Sequence, residues 1–248
     1  MLRLIGREES LEHCGELERD IFAIRIAATL KAYGADADFA RFYCDKERNT
    51  LISVLDSAMT ISVNEKSDLE ELAEFIKIIG CRSLLCDAEL ARRLQLKVSS
   101  EGLVMKLSEQ ISTDLSPPCR VDSERLSGLF PCIFPNGTNE EFSAWYCDAS
   151  HRLRHSKIRA VAFYSEGRAV CTAMTTAELS GCAIVGGVAT AEAYRRQGLA
   201  SRAVSALCAD LLSEGRAVYL CSKNSHSDKL YKKLGFKELS RWAYCEFK

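Results

Sequence analysis

Gly186-Gly-Val-Ala-Thr-Ala-Glu-Ala-Tyr-Arg-Arg-Gln-Gly-Leu-Ala-Ser201 joins a strand-like run to a helix, and the class of fold follows from that junction. An apolar run ends near Thr190, a turn follows, and residues 198–212 place Ala203, Leu207, Leu211 and Leu212 at helical positions. A turn from strand to helix leaves several backbone N–H groups without partners at the positive end of a helix dipole. Such a turn takes phosphate well. Gly198 lets the backbone approach without a Cβ in the way. Ala200 is the next-smallest residue two positions on, and Arg195 and Arg196 add positive charge. An ordinary helix start with a solvated basic pair would look the same locally, so the surroundings must decide. Neither G-x-x-x-x-G-K-[ST] nor G-x-G-x-x-G occurs, which removes support for nucleoside-triphosphate and dinucleotide readings.

Working outward, the residues after this stretch predict a strand over 218–221, a short helix over 227–234 ended by Gly235, and a strand over 242–247. Before it lie strand-like runs at 158–164, 169–176 and 182–190. The first two are separated by the turn residues Glu166-Gly167-Arg168. A helix starts at Thr138, where Thr138 and Glu141 form a capping box and Phe142, Trp145 and Tyr146 supply an apolar face. Residues 111–138 hold all four prolines and read as a loop-rich linker with one short helical turn at most.

The N-terminal half predicts strands at 2–5, 39–44, 50–55, 59–63, 83–86 and 102–107. Its helices are expected at 11–30, at 68–79 and at 87–94. The second of these is opened by Ser67 with Glu70 as capping box and closed by Gly80. The two halves share a loosely similar order of elements, which points towards a duplicated fold. Three segments are expected: a domain at 1–112, a linker at 113–137 and a domain at 138–248.

Bulk numbers narrow the function. The 248 residues carry a net charge of -1, so no basic field marks a nucleic-acid or anionic-membrane partner. No apolar run approaches the roughly 18–20 residues that span a bilayer. The opening MLRLIGREES is charged too early for a secretory signal, and the expected location is cytoplasmic. Twelve cysteines are scattered without a C-x-x-C pair, so they read as reduced, mostly buried small hydrophobes rather than a disulfide or zinc framework.

Arg195-Arg-Gln-Gly-Leu-Ala200 resembles the R/Q-x-x-G-x-G/A loop of the GNAT acetyltransferase superfamily. Asn224, placed after a strand, and Leu230-Tyr-Lys-Lys-Leu-Gly-Phe236, similar to that family's late L-Y-x-x-L-G-F stretch, follow in matching order. The likeness covers about residues 139–248. It implies an α/β (α+β) fold with a mixed, mostly antiparallel sheet flanked by helices. The N-terminal half would be a degenerate copy, or else an unrelated α/β module.

The resemblance also implies a chemistry. Acetyl-CoA is the cosubstrate, no metal is required, and a small-molecule or peptide amine attacks the thioester directly. Backbone groups of Val188, Ala189 and Thr190 would contact the acetyl and pantetheine arm, and N–H groups near Val188 and Ala189 would stabilise the developing oxyanion. Arg196, Gln197, Gly198, Leu199, Ala200 and Ser201 would cradle the pyrophosphate, with Arg195 adding charge, and Asn224 would bond the pantetheine. Tyr231 stands where the family keeps its general acid; a phenol of pKa about 10 is protonated at neutral pH and can donate to a thiolate near 8.5. The sequence departs from the pattern at Tyr219, which occupies the strand position often held by a glutamate base. That departure motivates a second reading, a non-catalytic acyl-CoA-binding or sensing module.

Asp148, His151, Arg152 and His155 fall at helical offsets and share one polar face. They are candidates for acceptor recognition, with either histidine as a possible base; a solvated helix face gives the same spacing. His151 and His155 also mimic half of a zinc H-E-x-x-H helix, yet Arg152 stands where its glutamate belongs. Glu178 is another possible base, expected on an exposed turn.

Overall fold

The computed structural model describes residues 1–7, 9–11, 20–108 and 117–247. In chain order the elements are β1 (Arg3–Leu4), α1 (Ile21–Tyr33), β2 (Ala40–Cys44), β3 (Thr50–Leu55), β4 (Ala58–Val63), α2 (Leu69–Ile79), β5 (Ser83–Asp87), α3 (Ala88–Arg93) and β6 (Val98–Leu107). There follow β7 (Cys119–Arg120), a 3-10 turn at Leu126–Leu129, α4 (Phe130–Ile133), α5 (Asn139–Arg154), β8 (Ala160–Ser165), β9 (Arg168–Glu178) and β10 (Cys182–Thr190). A second 3-10 turn at Glu192–Tyr194 leads to α6 (Leu199–Ser213), β11 (Ala217–Ser222), α7 (Ser225–Lys233) and β12 (Phe236–Glu246). Contacts divide the chain into two compact units: Met1–Met105 with Cys221–Asn224 and Glu238–Lys248, and Lys106–Leu220 with Ser225–Lys237.

In the first unit the neighbouring strands run β1-β2-β3-β4-β5-β12. β2, β3 and β4 form an antiparallel meander, and the chain then crosses through α2 so that β5 lies parallel to β4. Ile52, Met59, Ile61, Leu72, Leu84 and Cys86 make its core. The second unit repeats the succession with neighbours β11-β10-β9-β8-β7. β8, β9 and β10 are antiparallel, and α6 carries the chain across to β11, parallel to β10. Both units are thus mixed, mostly antiparallel sheets with helices packed on them, as expected.

Several local expectations need correction. Asp68, not Ser67, caps α2: its carboxylate accepts from the N–H groups of Glu70 and Glu71 at 3.0 Å each. The Ser67 hydroxyl is taken up by the Asn64 N–H and the Asn49 carbonyl. The helix expected over 11–30 starts at Ile21, after the Asp20 cap, and residues 12–19 lie outside the described residues. The proline-rich stretch is more ordered than a linker. Residues 111–116 also lie outside the described part, but Val121, Leu126, Leu129 and Phe130 are buried, the first three in a core with Ala149, Ile158, Ala162 and Met174. The eleven described cysteines are free, and eight are buried. Among the described residues no helix is long and apolar enough to cross a membrane.

Candidate functional site

Strand β10 carries the site. Its pairing with β11 stops at Val185↔Leu220, while β10 continues to Thr190. Against β9, Gly186 faces Met174 and the next paired residue, Ala189, faces Thr172. Residues 187–188 therefore oppose the single residue 173, which is a β-bulge; such an irregularity takes a residue out of the ladder and bends the strand. Gly187 sits at φ 55°, and a Cβ there would lie 2.6 Å from Met174 Cγ. A Cβ on Gly186 would lie 2.7 Å from Thr176 Cγ2. A larger residue at either position would force its neighbour to shift, and Gly187 has left-handed backbone as well. The sequence reading missed this bulge, although two glycines inside an apolar run are its usual mark.

Beyond Thr190 the turn is built from its own backbone. The Ala191 N–H donates to the Val170 carbonyl at 2.9 Å. Tyr194 donates its hydroxyl to Ser165 Oγ at 3.0 Å, and Arg195 Nε donates to the Thr190 carbonyl at 3.1 Å. Arg196 (φ 62°) and Gly198 (φ 75°) both adopt left-handed backbone, which turns the chain into α6. Gly198 has no side chain to cap that helix, and its first turn holds no acid. The first closing bond runs from the Arg202 N–H to the Gly198 carbonyl at 3.1 Å. Among the described residues none accepts a hydrogen bond from the six N–H groups of residues 196–201. Residues 195–198 are exposed and 199–201 half-buried, so those donors are open to an anion. Backbone N–H groups at a helix start, next to two exposed guanidinium groups, suit a diphosphate.

Tyr231 lies on α7 with 6% of its surface exposed and its ring edge-on to Phe236 at 5.9 Å. Burial, with help from Asp228 and Cys208, pushes its phenol up to about 12. No described residue shares a hydrogen bond with its hydroxyl. It is therefore protonated at any working pH and has a donor to spare. Tyr219 is fully buried on β11, with Lys106 Nζ 5.4 Å from its ring centroid. Asn224 is exposed in the bend between β11 and α7 and is grouped with the first unit.

Glu178 does not match its expected setting. Rather than standing on an open turn, it is buried and accepts from Arg159 Nε (3.0 Å), Arg159 Nη2 (2.8 Å), Arg216 Nη1 (2.7 Å) and Thr175 Oγ1 (2.7 Å). A carboxylate so engaged has no lone pair free to take a proton from an amine. It also pairs with the start of β10, opposite Ala183, whereas Thr190 pairs with Cys171. Seven residues of strand, about 23 Å, separate the two positions. On α5, Arg152 is buried and donates through Nε to Asp148 at 2.7 Å. The rings of His151 and His155 lie tilted to one another, with centroids 4.4 Å apart, at the end of α5. The structure thus gathers residues 188–201 into one continuous strand-turn-helix and puts Glu178 at the other end of the sheet.

Comparisons with known proteins bear on the fold. Residues 137–245 match the family model described as GNAT acetyltransferase. Among solved structures, a GCN5-related N-acetyltransferase from Kribbella flavida is similar with a TM-score of 0.66 and 15% identity, covering 91% of this chain and 95% of its own. A Drosophila protein gives a TM-score of 0.70 at 14% identity, over 99% and 98% of the two chains. A tandem GNAT protein from the clavulanic acid biosynthesis pathway gives 0.63 at 11% identity, over 98% and 97%. None of the curated proteins matches the sequence significantly.

Proposed function

We propose that residues 137–245, which match the GNAT acetyltransferase family model, transfer an acetyl group from acetyl-CoA to a primary amine by direct attack. The observation that carries this reading is the row of six open N–H groups at residues 196–201. They supply the donors that a diphosphate needs, and Arg195 and Arg196 supply its counter-charge. The backbone of Val188–Thr190 leads from the bulge into that turn and is suited to hold the arm and its thioester.

The transfer needs little else. The amine lone pair attacks the thioester carbonyl carbon, a C–N bond forms, and the C–S bond breaks with its electron pair passing to sulfur. The proton lost by the amine leaves to solvent. Tyr231 donates a hydrogen bond to the departing sulfur. Handing its proton over completely, from a phenol near 12 to a thiolate near 8.5, is uphill by roughly 5 kcal/mol. Its work is therefore to stabilise the developing charge, not to become ionised. Tyr219 leaves the strand without a base, so an acceptor that is already neutral is favoured. An α-amino group, with a pKa of about 7.7–8.0, meets that need better than a lysine amine near 10.4.

The test is a thiol-release screen of varied primary amines with acetyl-CoA, run beside calorimetric titration with CoA. Turnover with at least one amine and CoA binding support the transferase. Binding without turnover for any amine would leave a sensing module, and absence of CoA binding would remove both readings.

A further inference from the structure

We infer that Asp228 is a binding residue for the arm of the cosubstrate: its carboxylate accepts the N–H of the amide nearest the thioester. This deepens the transferase reading above and rests on it. One carboxylate oxygen of Asp228, Oδ1, is buried and has no hydrogen-bond partner among the described residues. No ion pair among those residues engages it either, although Lys232 follows at the four-residue spacing of a helical pair. A buried acceptor left without a donor forfeits its hydration, so such groups are rare and each calls for an explanation. The fold supplies none here. Asp228 is the fourth residue of α7, too far along to cap that helix from in front.

Its place points to the arm. β11 is parallel to β10, so α6 and α7, which follow these strands, both start at the end of the sheet where β10 runs into the open turn. Tyr231, the seventh residue of α7, feels the thiol of Cys208, the tenth residue of α6, so the two helices descend side by side from that end. In the reading above, the arm passes from the diphosphate at the start of α6 to the sulfur at Tyr231. Asp228 shares the face of Tyr231 at a three-residue offset. It stands about 4.5 Å nearer the diphosphate, three residues of helical rise. In the arm, an amide nitrogen follows the sulfur after two carbons, a three-bond span of about 4 Å. With the sulfur at the phenol, that N–H therefore comes level with the carboxylate. Asp228 also acts on the phenol itself, which burial first and this acid second push up to about 12. The residue is half-buried, which leaves the arm a way in, and the last bond of an aspartate side chain turns easily to meet a donor. Each group supplies what the other lacks once both leave water.

Calorimetry with CoA and with 3′-phosphoadenosine 5′-diphosphate, which is CoA without its arm, tests this beside thermal unfolding. Asp228→Ala should weaken CoA about 10- to 150-fold, the range for a hydrogen bond to a charged group, and leave the armless nucleotide within about twofold of the parent. Asp228→Asn keeps an oxygen acceptor without the charge and should recover at least about threefold of that loss. The alanine variant should melt no lower than the parent, because an unpaired buried oxygen is removed. The inference is overturned if Asp228→Ala weakens CoA less than about threefold, if the armless nucleotide weakens equally, or if asparagine recovers nothing. It is overturned too if the alanine variant melts more than about 4 °C below the parent, beyond the cost of losing a first-turn acid, since the carboxylate would then belong to the fold. A parent that binds neither ligand removes the transferase reading and this inference with it. A parent that binds CoA, with an alanine variant that binds it equally, removes the inference alone.

Discussion

Replacing Ala200 by proline removes one N–H from the helix start while leaving the helix's own bonds intact. Ala200 is the second residue of α6, and its N–H has no acceptor among the described residues. Proline is tolerated in the first turn because the donor it lacks is not used there. A hydrogen bond to a charged group contributes about 1.5–3 kcal/mol. At about 1.4 kcal/mol per tenfold, losing it should weaken CoA about 10- to 150-fold. The ring also puts a carbon where a phosphate oxygen would sit, so the lower figure is a floor. Ala200→Gly keeps the N–H and costs about 1 kcal/mol of helix stability at most, so its CoA affinity should stay within about threefold of the parent. Pantetheine, which lacks the diphosphate, should bind the proline variant and the parent alike. Calorimetry with both ligands, beside thermal unfolding of each variant, makes the comparison. The reasoning is refuted if Ala200→Pro binds CoA as the parent does while its melting is unchanged. It is equally refuted if the glycine variant loses as much as the proline one.

Other substitutions probe other parts. Tyr231→Phe should lower kcat about 100-fold with CoA affinity within about twofold; an unchanged kcat would remove Tyr231 from the chemistry. Gly187→Ala should destabilise the protein by roughly 2–5 kcal/mol, from the left-handed backbone and the contact with Met174 together, and a parental melting temperature would contradict the bulge. Glu178→Gln should cost about 1–3 kcal/mol, because the half-buried Arg159 and Arg216 keep Glu214 as a partner, with kcat of the folded protein unchanged; a selective loss of kcat at parental stability would restore Glu178 as a base. Stability should fall as pH rises above about 9. Burial holds Cys86 and Cys208 neutral up to about 12 against an ordinary value near 9, and Tyr231 to about 12 against 10. Between those values the unfolded chain sheds protons that the folded chain retains, so unfolding is favoured with rising pH; denaturant titrations at pH 8 and pH 10.5 that agree would contradict this.

The features legible in the sequence were those that depend on neighbours a few residues away. The Thr138–Glu141 capping box forms as read, with bonds of 2.7 and 3.2 Å, because both partners lie within one turn. Gly80 and Gly235 end their helices with positive φ for the same local reason. The proline-rich stretch misled because Pro131 looks like a breaker but occupies the first turn of α4, where its missing N–H costs nothing. Glu178 misled because its partners, Arg159 and Arg216, are distant in sequence and meet it only through the sheet. The apolar spacing of Leu126, Leu129, Phe130 and Ile133 was present all along, at helical intervals, and outweighs the prolines around it.

The duplicated architecture sharpens the case for where the diphosphate binds. Each unit has a helix that leads from the last antiparallel strand to the strand paired parallel with it: α2 between β4 and β5, and α6 between β10 and β11. Both helix starts carry the same dipole, so backbone geometry alone would make either an anion site. At α2 the Asp68 carboxylate already holds the N–H groups of Glu70 and Glu71, and those two acids bring further negative charge to the first turn. An incoming phosphate would have to displace a built-in anion and approach two more. At α6 the corresponding residue is Gly198, with no side chain to compete, no acid in the first turn and arginine at both 195 and 196. The difference between a self-capped helix and an open one therefore lies in a handful of side chains rather than in the fold. Under the proposed function, this difference would place the cosubstrate on the second unit.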